Sequence, residues 1–318
     1  MRPIQSVDVV IPVYNEEANL PELLEQLKAD LEPLSCGWRV VFVDDGSRDR
    51  SWEIVSKAAA EDARIVAIRL MRNFGQHAAI FAGFSKCEAD VVVTLDADLQ
   101  NPPREIPRLL AALDEGYDVA GGWRRQRHDS RFRRLASRGM NKLVSFATGV
   151  PLRDYGCMLR AYRIEVVRHM RECGEISSFI PALAHCFTDR VIEVPVDHAD
   201  RAQGRSRYSV RKLFGLLLDL LTGFSMLPLR TLATLGFGLA LCGGALGALL
   251  LVLRLALGAE WAGGGVFTLF AFLFFFIGAQ FIAFGLLGEY IGRIYGEVRR
   301  RPQYVIRERT GASPPGDT

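Results

Sequence analysis

From Val7 to Gly122, short β-branched runs alternate with polar amphipathic stretches: VDVVIP, WRVVFVDD, RIVAIRL, DVVVTLD and YDVAGG, separated by helical patterns. That alternation predicts an α/β fold with a largely parallel sheet. In open sheets of this kind ligands bind beyond the carboxyl ends of the strands, where Asn15, Asp44, Asp45, Asp96 and Asp98 fall. Neither GxGxxG nor GxxxxGK[ST] occurs, so this rim is not that of a dinucleotide fingerprint or a P-loop.

After Gly122 the pattern changes to an arginine-dense stretch, WRRQRHDSRFRRLASRGMNK, then an apolar-aromatic section to about Pro195 and a polar loop, DHADRAQGRSRYS. Val210 to Leu227 reads as an amphipathic helix, lying either in a membrane interface or buried against the α/β domain. Two uncharged stretches follow, Leu232 to Leu253 and Val266 to Leu287. At about 1.5 Å per residue each is about 33 Å long as a helix, enough to cross a hydrocarbon core. The other reading is a pair of buried core helices, but soluble cores rarely need two such runs joined by one short loop. Arg230 precedes the first stretch, and Arg293, Arg299, Arg300, Arg301, Arg307 and Arg309 follow the second, which predicts cytoplasmic flanks on both sides. Arg254 lies on the opposite side, as a single charge near a helix end that can snorkel. The expected organisation is an α/β domain over 1–208, an interfacial helix over 209–228, a transmembrane hairpin over 229–291 and a basic cytoplasmic segment over 292–318.

Composition narrows the classes. A net charge of +3 over 318 residues is too mild for a nucleic-acid protein, so the clustering of arginines matters more than their total. The six cysteines form no CxxC pair, which argues against a zinc site or a disulfide framework. The N-terminus has no apolar run after a basic start, so the expectation is that the α/β domain stays inside the cell.

Three constellations carry chemistry. Thr94-Leu95-Asp96-Ala97-Asp98-Leu99-Gln100 ends an apolar strand in two carboxylates. Carboxylates there are costly unless they meet a cation, and a divalent ion between them and a diphosphate would neutralise both sides. Capping of a helix starting near Pro102 would explain Asp98 but not Asp96. Oxygen-only ligation suits magnesium or manganese, with Gln100 as a third candidate ligand. Val43-Asp44-Asp45-Gly46-Ser47 closes a second apolar strand, where one acid can accept from a base or ribose, or simply belong to an Asp-Gly turn. Finally Arg124, Arg125, Arg127, Arg131, Arg133, Arg134 and Arg138 are denser than a solvated face requires. With apolar spans downstream and few aromatics interleaved, an anionic lipid phosphate is the better partner, and nucleic acid is not expected.

VVIPVYNEE, VDDGSRD, TLDADLQNP and the RxxGxSRY loop resemble the family 2 polyprenyl-phosphate glycosyltransferases, relatives of dolichyl-phosphate mannose synthase. RNFGQHAAIFAGF, DYGCMLRAYR and the long apolar C-terminal stretch resemble the branch that moves 4-deoxy-4-formamido-L-arabinose from UDP to undecaprenyl phosphate for lipid A modification and polymyxin resistance. The resemblance implies a GT-A, Rossmann-like catalytic domain, interface helices and a two-helix membrane hairpin in a bacterial inner membrane, assembled as a homotetramer. It implies that Pro12, Tyr14, Glu16, Asp44 and Asp45 line the uridine pocket and that Asp96, Asp98 and Gln100 hold a divalent metal. By the same resemblance Arg201 and Arg207 bind the donor diphosphate, while Arg124, Arg133, Ser137 and Arg138 grip the acceptor phosphate. Asp154, in a segment that departs from the wider family pattern, joins Asp96 and Asp98 as a catalytic candidate and bears on the donor sugar. GGWR also departs from the usual GSR around Arg124.

A lipid phosphate is largely dianionic at neutral pH, so it is already a nucleophile and needs no strong base. Alignment and leaving-group stabilisation are then the protein's tasks, and direct displacement predicts inversion. A synthase using UDP-glucose or another UDP-hexose would follow the same logic and stays open at this point. A sugar-lipid carrier would need a polar route, and the two spans offer only Gln280 as an amide and no buried charge.

Overall fold

The computed structural model describes residues 3–124, 154, 156–173, 180–197, 227–257, 266–298 and 302–311. They fall into two compact units, Met1–Tyr208 with Arg301–Thr318, and Ser209–Arg300.

The first unit is built on an eight-stranded sheet. In chain order its strands are β1 (Ser6–Val13), β2 (Gly37–Asp44), β3 (Ile65–Leu70), β4 (Val91–Thr94), β5 (Val119–Arg124), β6 (Arg160–Arg163), β7 (Val191–Val196) and β8 (Ile306–Thr310). Across the sheet they run β7-β5-β6-β4-β1-β2-β3-β8. The pairs β1–β2, β2–β3, β1–β4 and β5–β7 are parallel, while β6 runs antiparallel to both β4 and β5, and β8 antiparallel to β3. The sheet is therefore mostly parallel, as the strand spacing predicts, with β6 and the edge strand β8 reversed.

Both faces are covered, and the side-chain period of two divides the strands between them. Val9, Ile11 and Phe42 face one cluster with α1 (Leu20–Leu31), α2 (Ser51–Glu61) and α4 (Ile106–Asp114). Val10, Val41 and Val43 face the other, with α3 (Gln76–Phe84) and α5 (Ile164–Glu172). In α1 the spacing of Leu20, Leu23, Leu27 and Leu31 makes one apolar stripe, and Pro21 stands in the first turn, where its missing N–H costs nothing. Each of those leucines is buried and contributes about 1.5–3 kcal/mol by leaving water.

The second unit contains two long helices, α7 (Leu227–Leu257, 31 residues) and α8 (Val266–Val298, 33 residues), which follow the short α6 (Ile180–Ala184) in the chain. Leu235, Phe237, Leu255, Phe281 and Ile282 are all exposed, Phe281 by 71%, which is the reverse of a soluble core helix. Among the described residues one stretch, Phe275–Gly292, is long and apolar enough to cross a membrane, with a mean hydropathy of 1.4. The expected interfacial helix at 209–228 lies almost wholly outside the described residues.

Candidate active site

Parallel pairing brings the acidic strand ends to one edge of the sheet, because Val13 stands opposite Asp44 and Val10 opposite Thr94. The link after β1 is stitched to the link after β2. Asn15 N–H donates to Ser47 Oγ (3.0 Å), Arg48 N–H to Asn15 Oδ1 (2.8 Å) and Glu16 N–H to Ser51 Oγ (2.9 Å). Asn15 takes φ 56°, the left-handed region that asparagine tolerates. Tyr14 is left exposed at this edge, with Pro12 half-buried in β1 and Glu16 accepting from Asn19 Nδ2 at 2.6 Å.

The two acids closing β2 differ in their partners. Asp44 is 0% exposed, accepts from Ser47 N–H (3.1 Å) and has Arg69 Nε 3.2 Å from Oδ2, close enough for an ion pair but misaligned for a hydrogen bond. Burial raises its pKa, against the lowering effects of Ser47 and Arg69. Asp45 accepts the N–H of Phe74 at 2.7 Å and of Gly75 at 2.8 Å, so both its oxygens are engaged by the loop after β3. Burial raises this pKa too, with the two N–H groups opposing it.

At the end of β4, Asp96 and Asp98 are half-buried. Asp96 Oδ1 accepts from Gln76 Nε2 at 2.7 Å, and Asp98 Oδ1 accepts from Gln100 N–H at 3.2 Å across a turn in which Leu99 takes φ 61°. The 3₁₀ turn Pro103–Glu105 and α4 both begin without a side-chain cap, so Asp98 is not used as a helix cap. Among the described residues no three His, Cys, Asp or Glu side chains converge to hold a metal alone. Two carboxylates with Gln100 nearby nevertheless suit a hard divalent cation whose remaining ligands are water and diphosphate oxygens.

Arg124 and Asp154 are brought together at the end of β5. Arg124 donates from Nε (2.6 Å) and Nη2 (2.8 Å) to the two oxygens of Asp154, a residue only 2% exposed. Below them Arg160, 1% exposed, donates to the carbonyls of Cys157 and Asp154, both at 3.0 Å. Gly121 leaves room for it, since a Cβ there would come 2.8 Å from Arg160 Nη1 and the guanidinium would have to shift. Cys157 is not a nucleophile here, because burial pushes its thiol up to about 11.

Sequence reasoning assigned no role to Gln76, Arg69 or Arg160. Gln76 and Arg160 stand inside the motifs RNFGQHAAIFAGF and DYGCMLRAYR, which was the available signal. Arg133, Ser137, Arg138, Arg201 and Arg207 lie outside the described residues.

Strand-end carboxylates on a mostly parallel, doubly covered sheet fit the GT-A-like glycosyltransferase class of fold. Residues 8–171 match glycosyl transferase family 2, and the chain belongs to that family of glycosyltransferases. It is 54% identical over 315 residues to the undecaprenyl-phosphate 4-deoxy-4-formamido-L-arabinose transferase of Edwardsiella ictaluri, covering 99% of this chain and 97% of that protein. The enzyme of the same name from Proteus mirabilis is 54% identical over 313 residues, covering 98% and 96%. Among solved structures, glucosyl-3-phosphoglycerate synthase from Mycobacterium tuberculosis, in complex with phosphoglyceric acid, is 18% identical over 68% of this chain and 80% of that one, with a TM-score of 0.49.

Proposed function

We propose that this protein transfers 4-deoxy-4-formamido-L-arabinose from its UDP donor to undecaprenyl phosphate, with inversion, in the pathway that modifies lipid A and confers polymyxin resistance. The observation that carries the reading is the 54% identity sustained over 99% of the chain, apolar helices included.

The residues divide the work. Asp44, with Pro12, Tyr14 and Glu16 beside it, suits the uridine end, because a buried carboxylate with one poorly satisfied oxygen accepts readily from a base or ribose. Asp96 and Asp98, with Gln100, hold the divalent cation, magnesium or manganese. When bound, that ion supplies charge stabilisation to the departing diphosphate. Asp154 fixes the Arg124 guanidinium through two parallel hydrogen bonds, orienting it toward the acceptor phosphate that Arg133, Ser137 and Arg138 also grip. Arg201 and Arg207 take the donor diphosphate. No chain residue has to remove a proton, because the lipid phosphate attacks as a dianion.

Purified protein given undecaprenyl phosphate and a panel of UDP-sugars should form lipid-linked product with the formamido-arabinose donor. Faster turnover with UDP-glucose or another UDP-hexose would replace the donor assignment while keeping the reaction class.

The helices α7 and α8 form a hairpin in the bacterial inner membrane, the catalytic unit and both termini are cytoplasmic, and the protein assembles as a homotetramer. The exposed apolar side chains of both helices and the flanking arginines support the hairpin and its orientation, while the homotetramer rests on the family resemblance alone. A single cysteine in place of Trp261, in a background without other cysteines, should react with an impermeant maleimide from the periplasmic side, and one in place of Thr310 should not. The opposite pattern would reverse the topology.

A further inference from the structure

The loop between β3 and α3 links the two acidic strand ends. Asp45 holds it through the N–H groups of Phe74 and Gly75. Gly46, at φ 71°, lets it close in, since a Cβ there would come 2.7 Å from the backbone carbon of Arg72 and 2.8 Å from the nitrogen of Asn73. The loop leads directly into α3, whose first residue, Gln76, donates to Asp96 Oδ1 at 2.7 Å. In the sheet β1 lies between β2 and β4, so this contact reaches past one strand to join the Asp45 end to the Asp96 end.

We propose that Gln76 is a positioning residue for Asp96 and that Asp45 acts through it, holding the loop that delivers the Gln76 amide. This inference rests on the reading of Asp96 as a metal ligand. A donor fixed on one carboxylate oxygen sets the plane of the group, so an incoming cation meets it in one orientation. An amide suits the task because its NH2 can donate to the carboxylate without competing for the cation as a carboxylate would. The Asp-Asp-Gly sequence thus splits its work, with Asp44 at the nucleotide end and Asp45 supporting the metal end.

The test measures Mn2+ affinity in the presence of UDP, by calorimetry on the purified full-length protein, for wild type, Gln76→Ala, Asp45→Asn, the double variant and Asp96→Ala. Thermal melts are recorded alongside. Gln76→Ala should weaken Mn2+ binding by about tenfold or more, the range seen when partners of ligands are removed, with its melting temperature nearly unchanged. Asp45→Asn sets an amide against one of the two loop N–H groups and should weaken Mn2+ by a similar factor. Because both act through one contact, the double variant should bind Mn2+ no worse than the weaker single variant. Unchanged Mn2+ affinity in Gln76→Ala overturns the proposal, and multiplicative losses in the double variant overturn the link through Asp45. A purely structural role for Asp45 would lower its melting temperature and leave the Mn2+ affinity of Asp45→Asn intact. If Asp96→Ala itself binds Mn2+ like wild type, the metal reading fails, a result distinct from failure of the Gln76 assignment alone.

Discussion

Asp96→Ala and Asp98→Ala should each lower sugar transfer by about a thousandfold or more while leaving the fold intact. With both acids holding the proposed cation at the end of β4, each change would remove a ligand, and the charge stabilisation lost would be several kcal/mol, which is three or more decades in rate. The fold should tolerate the change because both side chains are half-buried at a strand end and none of the apolar core is removed. Asp96→Ala gives up its hydrogen bond from Gln76, and Asp98→Ala the short turn to Gln100 N–H, each worth about 1 kcal/mol. Turnover of purified protein beside thermal melts checks both halves of the expectation. Near wild-type turnover that remains sensitive to EDTA would show that the cation is held elsewhere.

Arg124→Ala should cost stability as well as transfer. The substitution strands the Asp154 carboxylate, 2% exposed, without the bidentate partner that compensates its burial. Breaking a buried pair in this way typically costs about 3–5 kcal/mol, equivalent to about 10 °C in melting temperature for a unit of this size. Loss of the proposed contact to the acceptor phosphate should separately lower kcat/KM for the lipid by about tenfold or more. The double variant Arg124→Ala, Asp154→Ala removes the stranded charge, so it should regain much of the stability and none of the transfer. Arg124→Lys should recover only part of either, because an ammonium cannot make two parallel hydrogen bonds to one carboxylate. A double variant that recovers transfer would mean that the pair serves only the fold.

The strands β1 to β4 were legible because each is a largely β-branched run ending in a polar turn, and a doubly covered sheet leaves such runs continuous. The placement of Asp96 and Asp98 just past the end of β4 was legible for a related reason, since an apolar run that stops at two carboxylates marks where a strand leaves the sheet. What distinguishes Asp44 from Asp45 was not, because adjacent identical residues carry the same local signal. Their difference lies in Phe74 and Gly75, which approach only one of them from about thirty positions along the chain. Gln76 was hidden in the same way, as an ordinary polar residue until α3 turns it to Asp96. The pairing of Arg124 with Asp154 was equally invisible, one arginine among seven finding its acid across a separation of 30 residues. IRERT, the strand β8, reads as a polar tail because an edge strand needs no apolar alternation, and its assignment depends wholly on the partner it meets.

That edge strand sets an order of events during synthesis. Arg69 and Glu308 touch across a separation of 239 residues, and the β3–β8 ladder around them has a similar span. At the usual elongation rate of about 5–20 residues per second, the ribosome delivers β8 some ten to fifty seconds after β3. Throughout that interval the outer edge of β3 presents unpaired backbone groups, and α7 and α8 are made before it can be covered. The sheet is therefore closed only in molecules that already carry both long apolar helices, so the last step in building the catalytic unit waits on the synthesis of a segment that lies outside it.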